Sequence, residues 1–256
     1  MTLSAIDATS LRDQVSDEEW QTRVDLAACY RLVARNGWDD LIYTHISARV
    51  PGEGHAYLIN PLELHFHEIT ASSLIKVDPE GNVLSQTPYT TNPAGLVIHG
   101  AVHGAREDAG CVIHLHTVAG TAVATQKEGL LPITQAALLF YDNIAYHDYE
   151  GLAVDDAERD RLVTDFGDKT AMILRNHGTM VAAPTVSKAF VSMYFLERAC
   201  QMQIAAQAGG GELNMPSAKA QKQVRQASEQ AFARGGIMEW PGLLRLLDHE
   251  DPSFRD

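Results

Sequence analysis

Through its first sixteen residues the chain is polar and aperiodic, and its character changes at Ser16. Ser16 with Glu19 three positions later forms a capping-box pattern, and the run from Glu18 to Gly37 spaces Trp20, Val24, Ala27, Ala28, Arg31 and Leu32 close to a helical period. The spacing predicts a helix that Gly37 ends. Residues 41–50 and 55–61 are β-rich runs joined by Pro51-Gly52-Glu53-Gly54, which reads as a hairpin loop. A short strand over 74–78 meets the turn Asp78-Pro79-Glu80-Gly81-Asn82.

Helical periodicity returns from Thr91 to Arg106, followed by the apolar strand 111–116 and a second helix over 117–128. The order repeats: a helix from about Asp155 to Phe166, an apolar strand over 170–176, a turn at His177-Gly178, and a long helix from Thr185 to Ala208. That helix carries Val186, Phe190, Met193, Cys200 and Ile204 on one face, and Gly209-Gly210-Gly211 stops it. Alternation of this kind argues an α/β layered domain. Residues 1–16 are expected to form an N-terminal arm, 17–211 the main domain, and 212–256 a charged helical tail packing on that domain or on a neighbouring subunit.

Composition narrows the partners. With 45% hydrophobic and 21% charged residues, the 256-residue chain reads as one large globular unit. Its 20 Lys and Arg against 33 Asp and Glu give a net charge of −13, which repels nucleic-acid backbones and anionic membranes. The N-terminus lacks a basic segment followed by an apolar run, and no stretch approaches the ~18 apolar residues of a membrane span, so neither export nor insertion is expected. Cys29, Cys111 and Cys200 are odd in number and far apart, which reads as reduced core thiols in a cytoplasmic protein.

Among eleven histidines, His114 and His116 stand two apart inside a strand-like run and therefore share one face. Their Cα atoms would lie about 6.6 Å apart, near enough for both rings to tilt onto one ion at metal–nitrogen distances of about 2.0–2.1 Å. The same spacing also suits two hydrogen-bonded histidines beside the end of a sheet. His177 closes another apolar strand in the run Asn176-His177-Gly178, where glycine gives the backbone room to turn a ligand inward; an exposed turn histidine has the same pattern.

Residues 40–52, 58–61, 68–78, 97–138 and 173–179 together resemble the class II aldolase/adducin family, over roughly residues 18 to 210. The resemblance implies a three-layer α/β/α fold around a central mostly antiparallel or mixed sheet. It implies His114, His116 and His177 as ligands of a divalent metal, zinc before Fe2+, Co2+, Ni2+ or Mn2+. It further implies a homotetramer with small-molecule sites between subunits.

The match to that family's sugar-phosphate enzymes is incomplete. Their proton-moving glutamate lies nineteen residues before the first histidine of the pair, a position held here by Gly95, and no carboxylate stands between Thr91 and Ala105. Phosphate-binding positions also differ: a Gly-Asn pair appears as Thr44-His45, a later glycine as Glu63, and a Ser-Ser pair as Pro93-Ala94. Glu63 at such a pocket would repel a phosphate. His45 is the candidate replacement base, since an imidazole ordinarily titrates near ~6.5. Glu63, His65 and His67 alternate as one solvated face of an edge strand would, and His99 and His103 suit helix packing or capping. The pattern resembles the adducin-like bacterial branch. It points to a metal-dependent lyase, aldol-type or decarboxylating, acting on a small carbonyl or keto-acid compound. An adducin-like assembly protein and an iron-dependent oxygenase are the alternatives.

Overall fold

The computed structural model describes residues 11–151 and 156–256. Helices are α1 (Leu11–Gln14), α2 (Asp17–Arg35), α3 (Pro93–Ala105), α4 (Val118–Ala124), α5 (Gln135–Leu138), α6 (Asp156–Phe166), α7 (Val186–Ala208), α8 (Ala218–Arg234) and α9 (Trp240–Glu250). Strands are β1 (His45–Arg49), β2 (Tyr57–Ile59), β3 (Ile75–Val77), β4 (Cys111–Leu115), β5 (Ile144–His147), β6 (Ala171–Leu174) and β7 (Gly178–Ala183). They form one sheet in the order β3-β2-β1-β4-β7-β6-β5. Every neighbouring pair is antiparallel except β5 with β6, which is parallel.

Because successive strand residues face opposite sides, each central strand feeds two cores. Val112, Met172 and Met180 point to one face and pack under Ile98, Val102, Leu162 and Phe166 of α3 and α6. Ile46, Ile113, Ile173 and Val181 point to the other, under Leu26 and Tyr30 of α2, Val123 of α4 and Phe190 of α7. The result is the three-layer α/β/α arrangement with a mixed sheet. None of the described helices is long and apolar enough to cross a membrane.

Local chemistry explains the element ends. Ser16 caps α2 by accepting from the Glu19 backbone N–H at 3.1 Å, and Asn92 and Thr185 cap α3 and α7 in the same way. The Glu19 carboxylate does not close the expected capping box. It is buried and instead accepts from Arg23 Nε at 2.9 Å and Lys76 Nζ at 2.6 Å, because the buried Arg23 guanidinium requires an anion. Gly37, at φ +67°, takes the left-handed conformation that ends α2.

Several expected elements are shorter or different. The helix over 117–128 stops at Ala124, and the strand of 41–50 starts only at His45. The alternating segment at 63–67 is not an edge strand: Phe66–Glu68 is a 3-10 turn that buries Phe66 against Tyr30, with ring centroids 4.6 Å apart. The fold adds β5, β7 and α5 to the elements that the pattern predicts. Of the N-terminal arm, residues 1–10 lie outside the described residues and 11–14 form α1; the Asp155 start of α6 also lies outside them. Beyond α7, Trp240 of α9 is buried beside Phe190 and donates its indole N–H to Asp25 at 2.9 Å, while Arg31 and Arg35 of α2 bind Asp251 and Glu250. These contacts hold residues 240–256 against α2.

Candidate metal centre

Strand β4 lies mid-sheet between β1 and β7, and its C-terminal end meets the start of β7. His114 is on β4, His116 follows the strand's last residue, and His177 immediately precedes β7. Antiparallel pairing of Leu115 with Thr179 therefore brings His177 beside the pair. Gly178 permits this closeness, since a Cβ there would lie 2.4 Å from the Leu115 carbonyl oxygen. The left-handed residue of the turn is Asn176, at φ +58°, rather than the glycine.

The Nε2 atoms of the three rings converge. His116 Nε2 lies 2.9 Å from both His114 Nε2 and His177 Nε2, and one ligating nitrogen from each ring falls within 4.8 Å of the others. Three such nitrogens about 2.0–2.1 Å from one tetrahedral ion would sit slightly over 3 Å apart, so the donor set fits zinc or a similar ion. The outer nitrogens are also arranged for this. His114 Nδ1 bonds the Thr179 carbonyl at 3.1 Å, and His116 Nδ1 lies 3.1 Å from the Asp40 carboxylate. Both contacts fix the tautomer that leaves Nε2 with its lone pair inward. Burial, reinforced by neighbouring imidazoles, pushes His114 well below the ordinary histidine range and His177 down to about 4, so both are neutral donors at pH 7.

A cavity of about 360 Å³ opens beside these rings, walled by His45, Tyr43, Asn92 and Tyr149 together with Asp40. His45 pairs in register with His114 across β1 and β4, and their ring centroids are 5.2 Å apart. Burial first, then His116 and His177, lower its pKa to about 3. Gly95 lies directly beneath this ring: a Cβ at that position would sit 2.8 Å from His45 Cδ2. The imidazole from β1 thus occupies the space into which a side chain at 95 on α3 would project.

The remaining sequence candidates fall elsewhere. Glu63 is tied to the backbone N–H and hydroxyl of Thr90 and does not line the cavity, so it gives no direct repulsion of a ligand there. His65 and His67 stack on each other at 5.6 Å on the 3-10 turn. His99 and His103 are fully buried; His99 meets His45 directly and is linked to His103 through Ser47, a connection beyond simple packing. Asp40 was missed: nothing in the Trp38-Asp39-Asp40 run signals a contact with His116, 76 residues on.

The sheet thus brings three convergent histidines to the β4–β7 junction with a cavity beside them. The family model for the Class II Aldolase and Adducin N-terminal domain matches residues 24–204, and the chain belongs to this family. An aldolase II superfamily protein from Pseudomonas syringae is 48% identical, superposes with a TM-score of 0.90, and is matched over 96% of this chain and 100% of its own. The L-fuculose 1-phosphate aldolase from Glaciozyma antarctica PI12 is 25% identical with a TM-score of 0.82, over 98% and 96% of the respective chains. Alpha-adducin of Mus musculus is 44% identical over 192 residues, which is 74% of this chain but 26% of the adducin.

Proposed function

We propose that the chain is a metal-dependent lyase acting on a small carbonyl or keto-acid compound by aldol-type cleavage or decarboxylation, with His114, His116 and His177 holding one divalent ion. Convergence of the three Nε2 atoms, each inner nitrogen backed at His114 and His116 by an outer acceptor, is the observation that carries this reading. A bound ion supplies Lewis acidity to a substrate oxygen, and zinc suits three imidazoles, with iron, cobalt, nickel and manganese as alternatives. His45 is the proton acceptor in this reading: it is neutral, at the cavity wall, and stands where Gly95 leaves room. With a pKa near 3 it is a weak base, so it serves only a substrate whose proton is already strongly acidified.

The absence of a carboxylate at 95 argues against the sugar-phosphate reaction, since general acid–base catalysis contributes on the order of 10²–10⁴ in rate. Purified protein is expected to carry about one divalent ion per chain by elemental analysis. Such protein should turn over unphosphorylated keto acids in preference to fuculose, rhamnulose or ribulose phosphates. Robust cleavage of any of those phosphates, lost on His177→Ala, would overturn the preference. The likeness to alpha-adducin favours a second reading, non-enzymatic assembly; metal-free protein that is inert across the screen would support it.

The reading includes a cytoplasmic location, supported by three buried thiols outside any disulfide, and a homotetramer whose neighbouring chains complete each cavity wall. Light scattering should then give a mass near four times 28.0 kDa, and a clean monomer at micromolar concentration would refute the assembly.

A further inference from the structure

On α3, Gly95, His99 and His103 recur at four-residue intervals and so share one face; on β1, His45 and Ser47 share the face turned toward that helix. Four residues of helix advance about 6.0 Å and two residues of strand about 6.6 Å, so the two repeats stay in step. The outcome is a continuous buried string. His45 Nδ1 lies 2.8 Å from His99 Nε2, His99 Nδ1 contacts Ser47 Oγ, Ser47 Oγ lies 2.7 Å from His103 Nε2, and His103 Nδ1 lies 3.0 Å from the Ala109 carbonyl oxygen. All four side chains are nearly or wholly excluded from solvent.

The end of this string determines every hydrogen in it. A carbonyl oxygen only accepts, so His103 must carry its proton on Nδ1, leaving Nε2 as an acceptor. Ser47 therefore gives its single hydroxyl hydrogen to His103, and Ser47 Oγ must accept from His99 Nδ1–H. His99 Nε2 is then a lone pair, which accepts from His45 Nδ1–H. Only Nε2 of His45 is left, and it carries a lone pair at the end of the ring away from the string. Each step holds because the rings are neutral: burial pushes His99 well below the ordinary range and His103 to about 3.

We propose that His99, Ser47 and His103 are positioning residues that lock His45 in its Nδ1–H tautomer, with the Ala109 carbonyl as the anchor that sets the direction of the whole string. The inference rests on His45 acting as the proton acceptor, since the Nε2–H tautomer would present a donor instead. A neutral imidazole free in water exchanges between tautomers; here the choice is made about four side chains away from the cavity.

Neutron diffraction from a crystal of the deuterated, zinc-loaded protein reads the tautomers directly. Deuterium is expected on Nδ1 of His45, His99 and His103 and absent from Nε2 of His45; deuterium on His45 Nε2 overturns the proposal. Ser47→Ala cuts the string, so His99 and His45 should acquire deuterium on Nε2 while the metal content stays at the wild-type level, and Ser47→Thr should restore the original pattern. An unchanged His45 tautomer in Ser47→Ala would equally overturn the positioning role, and the wild-type map decides the matter if that variant does not fold. The acceptor role fails separately: full turnover in His45→Gln refutes it whatever the neutron map shows.

Discussion

Replacing His114 or His116 with alanine is expected to leave the protein without stoichiometric metal, and His177→Ala to do the same, because each removes one of three convergent nitrogens and leaves two. The outer contacts should matter less. Asp40→Asn keeps the ring of His116 in place but replaces a carboxylate acceptor by an amide, and affinity is expected to fall about 10–100-fold, the range such partners usually command. Stability provides an independent reading of the same loss. An ion present at 100 times its dissociation constant stabilises the folded chain by about 2.7 kcal/mol. For a chain of this length that corresponds to a rise of roughly 5–10 °C in Tm. The wild type should show this rise on adding zinc, and the three alanine variants should not. His65→Ala is the control, since His65 stacks on His67 outside the cavity and its loss should change neither metal content nor the zinc-induced shift. Stoichiometric metal in both His114→Ala and His116→Ala would refute the ligand assignment.

The two-residue period of His114 and His116 was legible because it depends only on local strand geometry, and the position of His177 followed from a strand end and a glycine. What could not be read locally was pairing. β7, with its run Gly178–Ala183, is buried on both faces and so lacks the alternation that marks a half-exposed strand. β5 is four residues in a polar setting, too short for its period to register. Without β7 no strand carries His177 to the C-terminal end of β4, and the approach of His177 to the pair has no local cause in the sequence. The three-layer class itself came from family resemblance and the alternation of helix and strand, while strand order depends on contacts between distant segments.

The same limit explains His99 and His103. Their i,i+4 spacing was visible, and helix packing was the natural reading of it. Their bonding to Ser47 and His45 depends on β1 lying against α3, with two different repeats nearly in step. Gly95 read as a missing glutamate; in the fold it is also the space that the His45 ring fills. A Gly95→Glu substitution would therefore displace His45 rather than add a carboxylate to an otherwise unchanged site.

Acid should unfold this protein earlier and more steeply than its surface charges alone would cause. His45 and His103 are held to about 3 and His99 well below the ordinary value, all three chiefly by burial, whereas in the unfolded chain each titrates near ~6.5. Above that value both states carry neutral rings and the three groups contribute no pH dependence. Below it the unfolded chain takes up protons that the folded chain refuses, so stability falls as pH drops from about 6.5 toward about 3. Each histidine contributes about 1.4 kcal/mol per pH unit in that window, and three together on the order of 4 kcal/mol per unit. A domain stable by about 5–15 kcal/mol would exhaust that margin within roughly one to four pH units. Urea midpoints measured on metal-free protein between pH 7.5 and 4.5 should therefore be flat at the upper end and fall sharply below about 6.5. Direct measurement of proton uptake on unfolding of the metal-free protein at about pH 5 should give about three protons per chain from these rings, with His114 and His177 adding up to about two more. Uptake below one proton would mean that the string is already charged in the folded state, and the tautomer order deduced from the Ala109 carbonyl would fall with it.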